Sequence, residues 1–335
     1  MKSNQAYCKY LSNRLDEIFT QDDKVIILGE DIIDPYGGAF KITQGLSSKF
    51  PDRVLSTPIC EATITGIGAG LALRGYRAIV EIMFGDFLTI AADQIINHAA
   101  KFCQMYAGRV SVPLVIRTPV GAGRGYGPTH SQSLCKIFLG IPELVVMAPS
   151  HFHDPGEELH KAVYDDRPVL FIENKLLYSR EVVLDSKTLT IDLIKSDINT
   201  TAVVKNYSGE IVPDIVIITY GGISRFLEEI LEEFAEEEIW CKAILPSCIS
   251  SPAMDVIEDA AAEAGRVLII EEGHIGFGWS AEISHRVYSR LYKELKAPII
   301  CLGTDQTVIP ASFDLEENCI INKDKIENAI MEVLR

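Results

Sequence analysis

Apolar runs of strand length alternate with segments of helical period through most of this chain, and that alternation dictates parallel sheets covered by helices. "KVIILGEDI", "RVLSTPI", "RAIVEIMF", "VPLVIRTP", "ELVVMAPS" and "PVLFIEN" are near-continuous apolar runs, the pattern of strands buried on both faces. Between and before them lie helix-length stretches: residues 4–19 with Leu11, Leu15, Ile18 and Phe19 at helical spacing, the small-residue run 62–73, "DFLTIAADQIINHAAKFCQMY", and 154–164. This is a βαβ series.

The pattern loosens from about 183 to 214, which reads as a connection carrying at most an edge strand. A second series follows: "DIVIITYGG", a helix over 224–237, "IWCKAILPS", a helix over 254–264, "RVLIIEEGH", a helix over 279–295, "APIICLGT" and a closing helix over 324–334. The expected architecture is α/β with two parallel-sheet domains, 1–185 and 213–335, joined by a linker over 186–212. A chain of 335 residues exceeds the usual size of a single core, in keeping with two units.

The net charge of −16 argues against a nucleic-acid partner, because no basic stripe exists to release phosphate counterions. An apolar run of the ~18 residues needed to span a bilayer is absent, so no membrane segment is expected. The polar start "MKSNQAYCKYLSNRLDEIF" lacks the apolar centre of a secretion signal. Eight scattered cysteines without a CxxC read as reduced thiols in a cytoplasmic chain.

Ligands of open parallel sheets bind at the carboxyl ends of the strands. Three loops should meet there: "GEDIIDPYGGAF", "TPICE" and "TPVGAGRGYGPTHSQS". The glycines of 121–127 and of "GIGAG" lack the spacing of a dinucleotide or P-loop fingerprint, so a loop needing positive φ is the plainer reading. His130 follows those glycines in a polar strand-end loop, where both a structural and a catalytic role are open. In "HFHDPGEELH" the histidines and acids 151, 153, 154, 157 and 160 form no complete tetrahedral set, and a helix start capped by Asp154 or Ser150 is preferred. Ser131 beside His130 and Ser284 beside His285 lack the GxSxG elbow of a hydrolase. The acidic run 224–237 reads as a solvated helix face with Phe226, Leu227, Ile230, Leu231 and Phe234 inward. Glu61 stands alone between an apolar run and a helix, where it serves either a helix entrance or a catalytic pocket.

Together these loops resemble one family. The ordered elements "LGEDI", "YGGAFKIT", "TPI" with Glu61, the small-residue helix, "RAIVEI", "DF", "DQIIN", "VPLVIRTPVGAGRGYGPTHSQS", "FIENKLLY", "TYGG" and "RVLIIEEGHIGFGWSAEI" closely resemble the β subunit of the thiamine-diphosphate-dependent 2-oxo acid dehydrogenase E1 component, of pyruvate, branched-chain or acetoin type. The likeness covers almost the whole chain. It is weakest over 184–212 and departs at "AILPSCISSPAMD".

The resemblance implies a thiamine pyrimidine-binding domain followed by a transketolase C-terminal-like domain. Glu61 matches the catalytic glutamate that hydrogen-bonds the pyrimidine nitrogen N1′ and sets the ring's tautomer. Phe87 matches the aromatic that stacks on that ring, and Glu30, Ile59 and Met83 match positions lining its pocket. Met83 resembles the pyruvate-type enzymes, which points to a small acyl group. His130 matches the histidine that helps pass the acyl group to a lipoyl dithiolane. Leu114, Ala162, Val163 and Asp165 match positions around a structural K⁺ in some relatives. The "GDG" motif that carries Mg²⁺ and the diphosphate is missing, since Gly85-Asp86 is followed by Phe87. The resemblance therefore implies a separate α subunit holding Mg²⁺, an α2β2 heterotetramer, a 2-oxo acid substrate and a lipoyl-bearing E2 acyltransferase. "GPTH" also resembles the histidine loop of transketolase, so the C-terminal half of a split transketolase is the alternative. A third reading is a silent scaffold for an α-like subunit, against which the intact Glu61, Phe87 and His130 argue.

Overall fold

The computed structural model describes residues 5–335; residue 4, the first of the expected opening helix, lies outside the described residues. The first unit runs α1 (Tyr7–Gln21), β1 (Val25–Gly29), α2 (Leu46–Lys49), β2 (Val54–Ser56), α3 (Glu61–Leu73), β3 (Arg77–Glu81), α4 (Leu88–Asp93), α5 (Ala100–Met105), β4 (Leu114–Val120), β5 (Val145–Met147), α6 (Pro155–Tyr164) and β6 (Val169–Asn174). The second runs β7 (Thr190–Ser196), β8 (Asn199–Lys205), β9 (Ile215–Ile218), α7 (Ser224–Glu236), β10 (Cys241–Pro246), α8 (Met254–Ala264), β11 (Val267–His274), α9 (Trp279–Leu291), β12 (Ile300–Thr304), α10 (Phe313–Cys319) and α11 (Lys323–Leu334).

Each unit is built on a six-stranded sheet, in the orders β2-β1-β3-β4-β6-β5 and β12-β11-β9-β10-β8-β7. All pairings of the first sheet are parallel. Its strands bury both faces. Ile26, Leu28, Val80, Ile116 and Leu170 pack to one side with α3, α4 and α5, while Val25, Ile27, Ile79, Val115 and Phe171 pack to the other with α1 and α6. The first of these cores continues without a break into Val216, Ile218, Ile244 and Ile269 of the second unit.

Residues 190–205 differ from the expected connection. They form an antiparallel hairpin, β7 on β8, and β8 pairs antiparallel with β10 to complete the second sheet. The sequence hides this because β7 is an edge strand exposed along most of its length, and β8, "NTTAVVK", buries an asparagine and two threonines beside an apolar run of only three residues, Ala202 to Val204. The long helix expected over 86–106 is α4 and α5 joined by a π-helical stretch, Gln94–Ala99, whose wider turn places Ile95, Ala99 and Ala100 on the core. Two short helices, α2 and α10, were not legible from the pattern. Among the described residues no helix is long and apolar enough to cross a membrane.

Candidate active site

The strand order puts the switch point of the first sheet at β1, whose two neighbours β2 and β3 leave it in opposite directions. Glu30 follows the last residue of β1, Thr57 to Glu61 follow β2, Met83 and Phe87 follow β3, and the loop with His130 follows β4. The candidate residues therefore lie on adjacent strand ends of one rim.

Glu61 opens α3 and is 5% exposed. It stands there because α3 descends tightly onto the sheet: a Cβ at Gly68 would lie 2.6 Å from Val80 Cγ2 and 2.9 Å from Leu114 Cδ1. The preceding Cys60 gives no side-chain cap. None of the side-chain hydrogen bonds among the described residues ends on the Glu61 carboxyl. Glu30, also buried, has its carboxyl pushed above the usual range by burial, then by the neighbouring charges of Glu61 and Asp31. The two acids thus share one electrostatic pocket.

His130 and Phe87 meet directly, with ring centroids 5.3 Å apart, and Phe84 packs on the same imidazole at 4.8 Å. Thr129 Oγ1 lies 3.0 Å from His130 Nδ1. Gln132 donates through its backbone N–H and its amide to Asp86 Oδ1, which fastens the His130 loop to the turn carrying Phe87. Ile59 stands 80% exposed at the rim, open on this chain, and Met83 is half-buried. Buried polar atoms without partners, Thr57 Oγ1, Asp86 Oδ2 and Ser131 Oγ, lie in three of the rim loops. A polar rim left incomplete in this way fits a polar heterocyclic ligand.

Below the rim lies a buried ion network. Arg117 on β4 donates to both carboxylate oxygens of Glu173 at 2.8 and 3.0 Å and to Glu81 at 2.9 Å, and Tyr178 donates to Glu173 at 2.8 Å. It ties the carboxyl ends of β3, β4 and β6 together.

The remaining sequence candidates resolve separately. Asp154 caps α6, accepting from the N–H groups of Gly156 and Glu157. His151 and His153 are buried against Ser224 and Ser150, and no metal-binding group of three His, Cys, Asp or Glu side chains occurs among the described residues. At the positions matched to K⁺, Arg77 donates to the carbonyl oxygens of Val163 (3.0 Å) and Asp165 (3.4 Å), and Arg167 holds the Asp165 carboxylate with two bonds at 2.8 and 3.0 Å. Two guanidinium groups thus already bond oxygens of Val163 and Asp165.

Sequence reasoning missed Lys175 and Glu316. Lys175 is fully buried, donates to the His130 carbonyl oxygen, and has its ammonium pushed down to about 8 by burial. The only sequence signal was a lysine directly after the apolar run of β6. Glu316 of α10 gave no signal among its acidic neighbours.

Fold and strand order define a chain of the transketolase class. The transketolase pyrimidine binding domain family matches residues 3–181 and the transketolase C-terminal domain family residues 209–326. The acetoin:2,6-dichlorophenolindophenol oxidoreductase subunit beta of Cupriavidus necator is 32% identical over 97% of this chain and 96% of its own length. The mitochondrial pyruvate dehydrogenase E1 component subunit beta-1 of Arabidopsis thaliana is 35% identical over 91% of this chain and 83% of its own length. The 2-oxoisovalerate dehydrogenase subunit beta of Bacillus subtilis is 32% identical over 99% of both. The chain belongs to the β subunits of the thiamine-diphosphate-dependent 2-oxo acid dehydrogenase E1 components. A solved structure described as a split gene transketolase, inactive beta4 tetramer, has a TM-score of 0.71 over 98% of both chains; at 17% identity it shows the fold alone.

Proposed function

We propose that this chain supplies the pyrimidine-side half of an E1 active site that decarboxylates a 2-oxo acid and passes the acyl group to the lipoyl group of an E2. The observation that carries this reading is the buried, hydrogen-bond-free carboxyl of Glu61 after β2, beside Glu30 at the switch strand β1 and on the same rim as Phe87 after β3. Glu30, Ile59, Glu61, Met83 and Phe87 would hold the aminopyrimidine ring of thiamine diphosphate. When bound, that cofactor supplies the nucleophilic carbon and the electron sink for decarboxylation. Glu61 holds or releases a proton at N1′, in a pocket where burial strengthens a single hydrogen bond. Phe87 offers its ring face to the pyrimidine. His130, fixed between Phe84 and Phe87, presents an imidazole able to give or take a proton during acyl transfer.

The Mg²⁺ and diphosphate fall to a separate α chain in this reading, because the described residues offer neither a GDG motif nor a cluster of acidic ligands. Ile59, Ile67, Ile90, Met105 and Tyr106 leave an exposed apolar surface around α3 to α5, which supports coverage by that partner in an α2β2 assembly. The test is co-purification with an α chain carrying GDG, followed by 2-oxo acid turnover with a dye or lipoyl acceptor. Absence of turnover with every 2-oxo acid, despite cofactor binding, contradicts the proposal. Ketol transfer between sugar phosphates would decide for the split transketolase instead.

A further inference from the structure

The loop from Gly121 to His130 leaves β4 through glycines at 121, 123, 125 and 127, all at positive φ. Two backbone N–H groups of this stretch are captured from the second unit. Glu316 of α10, 1% exposed, accepts from Gly123 N–H at 3.0 Å through one carboxylate oxygen and from Gly125 N–H at 2.8 Å through the other. The approach is close: a Cβ at Gly125 would lie 3.2 Å from the carbonyl oxygen of Ala311 and 3.3 Å from the Phe313 ring.

The loop's far end is held from the first unit. The Lys175 ammonium donates to the carbonyl oxygen of His130 itself and stands 5.2 Å from the Phe84 ring centre and 5.3 Å from that of Tyr126. Arg124, within the loop, donates to the Lys175 carbonyl oxygen at 3.0 Å. No carboxylate of the described residues lies within ion-pairing distance of Lys175, and none of its bonds reaches the pocket of Glu61. A lysine buried this way without a direct ion pair, with the carboxylates of Asp86, Glu272 and Glu316 acting only from a distance, is costly, and its contact with the His130 backbone offsets part of that cost.

We propose that Glu316 and Lys175 are positioning residues that clasp the 121–130 loop at its two ends and thereby fix where the His130 imidazole stands. The assignment of the loop to acyl transfer rests on the function proposed above; the clasp itself does not. Charge-assisted bonds to backbone groups are about twice as strong as neutral ones, so they hold the glycines, which have no side chains to pack, and add to the ring contacts that Tyr126 and His130 make with Phe84.

Amide hydrogen exchange on the full chain tests the clasp without any assay of activity. In Glu316→Gln, which keeps the shape but removes the charge, the Gly123 and Gly125 amides should exchange about tenfold faster, the factor of one charge-assisted bond, while peptides of β4 and β11 keep wild-type protection. Unchanged loop exchange overturns the proposal. Should Glu316→Gln lose core protection, Lys175→Met is read in the same way and decides alone. In the assembled complex, Lys175→Met should lower kcat for lipoyl-dependent acyl transfer with little change in KM for the 2-oxo acid. Lys175→Arg, which can still donate to the His130 carbonyl, should restore it. Equal loss in both variants overturns the positioning role. A wild-type complex with no lipoyl-dependent turnover defeats the proposed function and leaves the exchange result standing.

Discussion

The imidazole of His130 stands edge-on to Phe87, 5.3 Å between ring centres at an interplanar angle of 83°. These residues come from loops after neighbouring strands, β3 and β4, so the sheet brings a phenyl ring and an imidazole together. Asp86 beside Phe87 and Gln132 beside His130 lock the relation with hydrogen bonds.

Phe87→Ala should weaken thiamine diphosphate binding by the assembled complex about tenfold, from the loss of ring stacking. Titration calorimetry measures it. An unchanged Kd would remove Phe87 from the cofactor site.

Glu30 predicts a pH dependence. Burial and the Glu61 charge raise its folded-state carboxyl above the ordinary value, so the folded chain binds its proton more tightly than the unfolded chain. Stability from this group is therefore lost as pH rises from the ordinary glutamate value of about 4.3 towards its raised folded value. Glu30→Gln should flatten that part of the Tm-against-pH curve and gain stability on its upper side. A parallel curve for both proteins would contradict the account.

Arg117 is the cation of a buried network with Glu173 and Glu81. Arg117→Ala leaves two buried carboxylates uncompensated and should cost about 3–5 kcal/mol by denaturant unfolding. A loss below about 1 kcal/mol would mean that the rim does not depend on this network.

Replacing K⁺ by choline at constant ionic strength should leave Tm unchanged, because Arg77 and Arg167 already satisfy the oxygens at Val163 and Asp165. A fall in Tm that returns with K⁺ would show that a cation enters beside the guanidinium groups.

The buried strands were legible because parallel strands covered on both faces must be continuously apolar, as in "KVIILG" and "PVLFIEN". Asp154 was legible because a cap acts within three residues of itself. The hairpin over 190–205 was not, since an exposed edge strand needs no apolar face. Glu61, Phe87 and His130 were placed by resemblance to a family; periodicity alone left Glu61 undecided between a helix entrance and a pocket. Lys175 and Glu316 could not be found from sequence, because each acts on a partner remote in the chain: Glu316 bonds groups 191 and 193 residues away.

The central claim is that the Glu61 carboxyl exchanges a proton with a thiamine ring nitrogen. Its most direct test is 2-oxo acid turnover by Glu61→Gln in the assembled complex, with cofactor binding measured on the same sample. The account predicts that the complex forms, thiamine diphosphate still binds, and turnover falls by about 10²–10⁴. Turnover at the wild-type rate with cofactor bound would contradict it.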